Sequence, residues 1–167
     1  MAETPKVVSG QDLRARPLGP SDVDVLAAFF GEIAADPTAD RFHPHPFTAE
    51  AARAIAQHEG RDLYLGQFLD GRLVGYGMLR GWDAGYETPS LGIYLSAEVR
   101  GRGLSKALME DLHDQARARG AEKVRLKVYK DNVRAVNLYE QLGYVFFAEE
   151  GEQRVGLFEL ISQGGGR

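Results

Sequence analysis

Between Ser90 and Tyr129 the chain reads as strand, glycine-bearing turn, long helix and strand in unbroken succession. Ser90–Leu95 is a short apolar run. Leu104, Ala107, Leu108, Leu112 and Ala116 then recur on one helical face between Gly103 and Arg119, and Gly120 stops the helix. Lys123–Tyr129 reads as the second strand. A strand that passes through a helix before its next strand makes a parallel crossover. This stretch therefore commits the chain to a sheet containing a parallel pair with a helix laid across it.

The flanking segments add antiparallel strands and further helices. Asp12–Leu18 alternates apolar and polar residues and stops at Pro17-Leu-Gly-Pro20. Ser21 or Asp22 caps a helix whose Val25, Leu26, Phe29, Phe30 and Ile33 share a face. Residues 36–47 hold three prolines and form a loop, after which Thr48 caps a second helix carrying Ala51, Ala52, Ile55 and Ala56. Arg61–Leu69 and Arg72–Trp82 are strands joined by Asp70-Gly71, a hairpin pair. Asp131 or Asn132 caps the last helix, Gly143 ends it, and strands follow near 144–149 and 153–161. Residues 1–10 and the Gln163–Arg167 tail are expected to be loose and flexible, leaving one domain with a core at about 12–161. The order βααβββαβαββ defines an α+β fold, a mixed sheet of about seven strands flanked by four helices.

Composition narrows the function. The chain has 167 residues, 44% hydrophobic and 26% charged, the balance of an ordinary globular domain. Its net charge of -4 argues against nucleic acid as the main partner. With no cysteine, disulfides, thiolate metal sites and a cysteine nucleophile are excluded, and no metal is expected. No apolar run approaches the roughly 18 residues that span a bilayer. The N-terminal residues lack the layout of a signal peptide, so a cytoplasmic protein without a membrane partner is expected.

The chemistry concentrates at Arg100-Gly-Arg-Gly-Leu-Ser-Lys106, between strand and helix. The first amides of a helix have no internal partner and point outward with the positive end of its dipole, which makes an anion site. Gly101 and Gly103 let a phosphate approach the backbone, and Arg100, Arg102 and Lys106 gather positive charge in an acidic protein. That combination suits a pyrophosphate. The glycines alone could equally serve a tight turn with solvated basic residues. The GxxxxGK[ST] pattern is absent, and the third glycine of a dinucleotide fingerprint is missing.

Leu91 to Met109 resembles the coenzyme A motif of the GNAT superfamily of N-acetyltransferases: an apolar strand, a short loop, R/Q-x-x-G-x-G/A and an amphipathic helix. Arg100 and Gly103 match, Ser105 replaces the usual Gly or Ala, and Ala97 stands where many relatives have proline. A second block, Asn132-Val-Arg-Ala-Val-Asn-Leu-Tyr-Glu-Gln-Leu-Gly-Tyr144, looks like the N-x-x-A-x-x-L/F-Y-x-x-x-G-F/Y signature of the same family. The resemblance covers roughly residues 12 to 160 and implies a sheet splayed at its centre.

The resemblance implies acetyl-coenzyme A as co-substrate. Its pantetheine arm would pair with the backbone of Ile93, Tyr94 and Leu95, and its pyrophosphate would meet Arg100, Gly101, Arg102, Gly103, Leu104, Ser105 and Lys106, with Asn132 and Tyr139 on the other wall. Tyr139 is the implied general acid toward the leaving thiolate, its plainer role being to pack against the cofactor. No carboxylate lies in Ser90–Leu95, so Glu87 is taken first as the base, with Asp83, His43, His45 and ordered water as alternatives. The loops with His43, His45, Trp82 and Asp83 are expected to border the acceptor, a small primary amine such as an amino sugar. Protein N-termini, polyamines, aminoglycoside-like drugs and other acyl groups stay open, as does a non-catalytic acyl-coenzyme A sensor. Monomer and homodimer are equally compatible with the sequence.

Overall fold

The structure, a computed structural model, describes residues 11–160 in full and residues 4–8 as backbone. In chain order it has strands β1 (Thr4–Val8) and β2 (Gln11–Pro17), helices α1 (Val23–Ala35) and α2 (Ala49–Ala56), and strands β3 (Leu63–Leu69), β4 (Arg72–Arg80) and β5 (Ser90–Leu95). Helix α3 (Leu104–Ala118), strand β6 (Lys123–Tyr129), helix α4 (Val133–Leu142) and strands β7 (Val145–Glu150) and β8 (Gln153–Glu159) follow. The mixed sheet and its helices stand as the residue pattern implies. An eighth strand, β1, extends the edge, because residues 4–8 pair antiparallel with β2 instead of lying loose. Pro5 is compatible with an edge strand, where a missing N–H breaks no inner ladder. The tail from Gln163 falls outside the described residues.

The strand order is β1-β2-β3-β4-β5-β6-β8-β7. β5 pairs with β4, and β6 with β8, along their full lengths and antiparallel. Between β5 and β6, the parallel pair, the register holds only Ser90 opposite Arg125. Beyond that point the strands part, and the sheet opens at its centre.

Each face of the sheet has its own core. On one, Leu104, Leu108, Met109 and Leu112 of α3 pack on Val74, Leu79, Val124, Leu126 and Val128. On the other, Leu26, Phe29, Phe30 and Ile33 of α1 and Ala52 and Ile55 of α2 meet Phe68, Tyr76, Met78 and Tyr94. Along β4, Tyr76 and Met78 face one core and Leu79 the other by the strand period, while Val74 reaches the α3 side because the β3–β4 register shifts at a bulge between Gln67 and Phe68. Thr48 caps α2 as expected, its hydroxyl accepting the Ala51 amide at 3.0 Å. Asp22 precedes α1 without capping it through its side chain. Its carboxylate instead accepts both Arg16 guanidinium nitrogens at 2.8 Å and the Gly19 amide at 2.8 Å, and Arg16 holds it below the usual carboxylate range. Among the described residues no helix is long and apolar enough to cross a membrane.

Candidate active site

Where β5 and β6 part, a cleft of about 1040 Å³ opens, lined by the parted strands, by residues 38–44, and by Asn132 and Tyr139. Backbone alternation decides what β5 offers it. The Ser96 amide donates to the Val74 carbonyl at 2.8 Å, and the Arg125 amide to the Pro89 carbonyl at 3.0 Å. Even-numbered residues of β5 therefore turn their backbone polar groups toward β4 and odd-numbered ones toward β6. At Ile93 and Leu95 the neighbouring strand has moved away, so their N–H groups and the Ile93 carbonyl face the cleft. The Leu95 carbonyl accepts Arg100 Nε at 3.0 Å. Tyr94, placed with these two by the sequence, spends its backbone on Tyr76 of β4 and its hydroxyl on Asp36 Oδ2 at 2.5 Å. Its neighbours carry the open edge.

The cleft leads past Leu95 and Arg100 to the glycine turn. Gly101 and Gly103 have φ of +79° and +80°, a conformation that L side chains rarely adopt, and a Cβ at either would meet no atom within 4 Å. The turn is thus set by backbone conformation and is open in front. Gly103 is the N-cap of α3 and has no side chain to offer the amides of Leu104, Ser105 and Lys106. The Leu104 side chain is buried beneath the turn, and Gln67 Nε2 donates to its carbonyl at 3.1 Å.

The three basic residues behave differently. Lys106 is exposed on α3, and Arg102 reaches back to hydrogen-bond Gln11. Arg100 folds inward: besides the Leu95 carbonyl it donates to Thr38 Oγ1 at 2.7 Å and Asp36 Oδ2 at 2.8 Å, over the Tyr94 ring. The Tyr94 hydroxyl, then Thr38, hold the Asp36 carboxyl well below the usual carboxylate range. Arg100 therefore straps the 36–44 loop to the end of β5, and its guanidinium is already engaged.

On the opposite wall Asn132 caps α4 by accepting the Ala135 amide at 3.3 Å. The Tyr139 ring packs on the α3-side core beside Tyr144, with centroids 5.8 Å apart. Burial pushes its hydroxyl up to about 12, so the oxygen keeps its proton at neutral pH. Behind it, Tyr144 and buried His113 share a hydrogen bond of 2.7 Å.

A second hollow of about 730 Å³ adjoins the first and is lined by Met78, Arg80, Asp83, Tyr86 and neighbouring residues. The two share Pro44, Ser90, Leu91, Gly92 and Arg125, so they meet across the start of β5. Of the residues expected to border an acceptor, His43 lines the first hollow and Asp83 the second. His45 is drawn into packing: its Nε2 meets the Tyr76 hydroxyl at 2.8 Å, its ring lies against Phe30 and Phe47, and burial lowers its basicity. Trp82 is 4% exposed and part of the core, with Arg119 over its ring. Apolar packing explains both positions, and neither residue lines a hollow. Glu87 is exposed in the turn before β5, outside both linings.

Sequence reasoning missed Asp36, Thr38, Arg41, Gln67 and Arg125. Arg41 crosses the cleft to bond Asp131 and lies 4.6 Å over the Tyr129 ring. No periodicity marks Asp36, Thr38, Arg41 or Gln67, because each works through a partner distant in the chain. Arg125 alone carried a readable sign, a charge on a strand whose Val124, Leu126 and Val128 are apolar.

Comparison with known proteins bears on the same segments. The family model for the acetyltransferase (GNAT) family matches residues 28–144. An acetyltransferase of Pectobacterium atrosepticum is 34% identical over 83 residues, which are 50% of this chain. The match spans 57% of that relative's length. Among solved structures, the GNAT domain of S. lividans PAT superposes with a TM-score of 0.80 at 20% identity, over 94% of this chain and 96% of that one. The PaiA N-acetyltransferase of Thermoplasma acidophilum, solved with coenzyme A, gives 0.70 at 18% identity, over 88% and 98%.

Proposed function

This chain belongs to the GNAT acetyltransferase family, and from that premise we propose that it moves an acetyl group from acetyl-coenzyme A to the primary amine of a small molecule by direct transfer. The observation that carries the proposal is the unpaired edge of β5, which runs from the meeting point of the two hollows to the left-handed glycines at the start of α3. Its residues fit the co-substrate. The Ile93 N–H and carbonyl accept an extended amide-bearing arm as an added strand would. The Leu95 N–H polarises a thioester carbonyl, and the amides of Gly103, Leu104, Ser105 and Lys106 hold a pyrophosphate. The engaged Arg100 serves by positioning the turn rather than by donating to phosphate.

Tyr139 keeps its proton in the neutral range and faces the same cleft, which suits delivery of that proton to the departing thiolate. The five residues shared by the hollows include no carboxylate and no histidine. We take the amine's proton to leave through water in the second hollow, with Glu87, exposed in the turn before β5 between Tyr86 and Thr88 of its lining, as the alternative base. Direct transfer agrees with a chain that has no cysteine to carry an acyl group. The test is a panel of primary amines assayed for release of free coenzyme A thiol, with product mass confirming N-acetylation. Saturable thiol release with acetylated product is expected. Tight acetyl-coenzyme A binding with no turnover on any amine would leave a sensor and no transferase.

A further inference from the structure

Among the described residues, five arginine and lysine side chains line the two hollows: Arg41, Arg80, Arg100, Arg125 and Lys127. Four are committed to partners. Arg41 bonds Asp131, Arg80 donates to the Pro44 carbonyl at 2.6 Å, Arg100 holds Asp36 and Thr38, and Lys127 pairs with Glu150 Oε1 at 2.9 Å. Arg125 differs. Among the described residues its guanidinium makes no hydrogen bond, and the nearest carboxylate oxygen, Glu150 Oε2, is 3.9 Å away. That distance is too long for a hydrogen bond. The side chain is 34% exposed and stands where the hollows meet, on the residue paired with Ser90.

The acids of the second hollow are occupied as well. Asp62 Oδ1 accepts the amides of Gly81 and Asp83 at 3.0 and 3.1 Å. Asp83 accepts the Arg61 amide at 2.6 Å and pairs with His58 at 2.9 Å. They brace the turn after β4 rather than await a cationic ligand. An amine entering from this side therefore approaches a cation held, among the described residues, only by a 3.9 Å ion pair to Glu150, while the acids of the second hollow are engaged.

Resting on the acetyl-transfer reading above, we infer that Arg125 binds a carboxylate carried by the acceptor close to its reacting amine, so that the acceptors are amino-acid-like amines. A guanidinium presents a planar fork of donors that matches a carboxylate, and the pair is charge-assisted. The carboxylate removes the repulsion that a simple alkylammonium would meet. By offsetting the acceptor's own carboxylate charge, which would otherwise raise the amine's basicity, the guanidinium also favours the neutral, nucleophilic form of the amine.

The experiment compares kcat/KM for glycine, alanine and lysine with that for glycinamide, alaninamide and lysinamide. Each value is corrected for the fraction of unprotonated amine, because an amide neighbour lowers the amine's basicity. The wild type is expected to favour the carboxylates by about tenfold or more, the loss typical of one charge-assisted hydrogen bond. Arg125→Gln brings that ratio toward one, and Arg125→Lys keeps part of it; circular dichroism verifies the fold of both. Equal or better use of the amides by the wild type overturns the inference. So does a ratio unchanged in Arg125→Gln, or transfer confined to amines that lack a carboxylate. If acetyl-coenzyme A binds but no amine of any kind releases thiol, the transfer reading itself fails, a result distinct from transfer with the wrong preference.

Discussion

Tyr139→Phe removes one oxygen from the cleft wall and leaves the ring's packing beside Tyr144 in place. If the hydroxyl protonates the leaving thiolate, single-turnover acetyl transfer slows by about a hundredfold or more, while acetyl-coenzyme A affinity measured by calorimetry stays within error. A ring that only packs gives the opposite pattern, with transfer preserved in the Phe variant. Because burial holds the hydroxyl at about 12, it stays protonated up to strongly alkaline pH. The wild-type rate should then show no alkaline loss attributable to this group below about pH 11, which a pH–rate profile checks. Tyr139 was legible in the sequence because it sits in a helical stripe with a family signature. Arg100 was legible as a residue but not in its use, since Asp36 and Thr38 claim its donors from more than sixty positions away.

The start of α3 works as an element: its amides, rather than its side chains, make the anion site. Gly103→Glu puts a carboxylate in front of those amides and a side chain at φ +80°, and should abolish measurable acetyl-coenzyme A binding. Lys106→Ala removes an exposed charge, and Arg102→Ala an exposed charge with its bond to Gln11. Each should weaken binding by about fivefold or less, and the effect should shrink as salt rises. Titration calorimetry at low and high ionic strength separates the cases: unchanged affinity in a folded Gly103→Glu variant, or large salt-indifferent losses in the other two, would contradict a backbone-dominated site. This element was readable in advance because glycines, a helical stripe and basic residues are local signals. The same holds for the Asp70-Gly71 hairpin, whose residues have φ of 51° and 84°. β1 was not, since an edge strand with few apolar residues gains its order from β2.

Stability of the whole molecule should fall in mild acid, and His113 is one cause. It is 4% exposed, and burial lowers its pKa to about 4 from the ordinary 6.5. A base depressed by folding leaves the unfolded chain binding more protons. Its contribution is therefore complete above about pH 7 and is lost progressively as pH falls toward 4. Between pH 7 and 5 this amounts to about 2 kcal/mol. Urea denaturation at the two pH values should show that drop in the wild type and a clearly smaller one in His113→Gln; equal slopes would remove His113 as the cause. Asp22, held down by Arg16, adds a loss at lower pH. From the sequence alone came the order of elements after β1, the parallel crossover, the glycine turn and the Tyr139 helix, because hydrophobic period, caps and turn residues act within one or two turns of chain. The tertiary structure decided the rest: the Arg100–Asp36 strap, the burial of His45 and Trp82, and the placing of a loosely paired Arg125 at the join of the two hollows. Those outcomes depend on which side chains from distant segments reach a charge or a cavity first, and no local pattern records that competition.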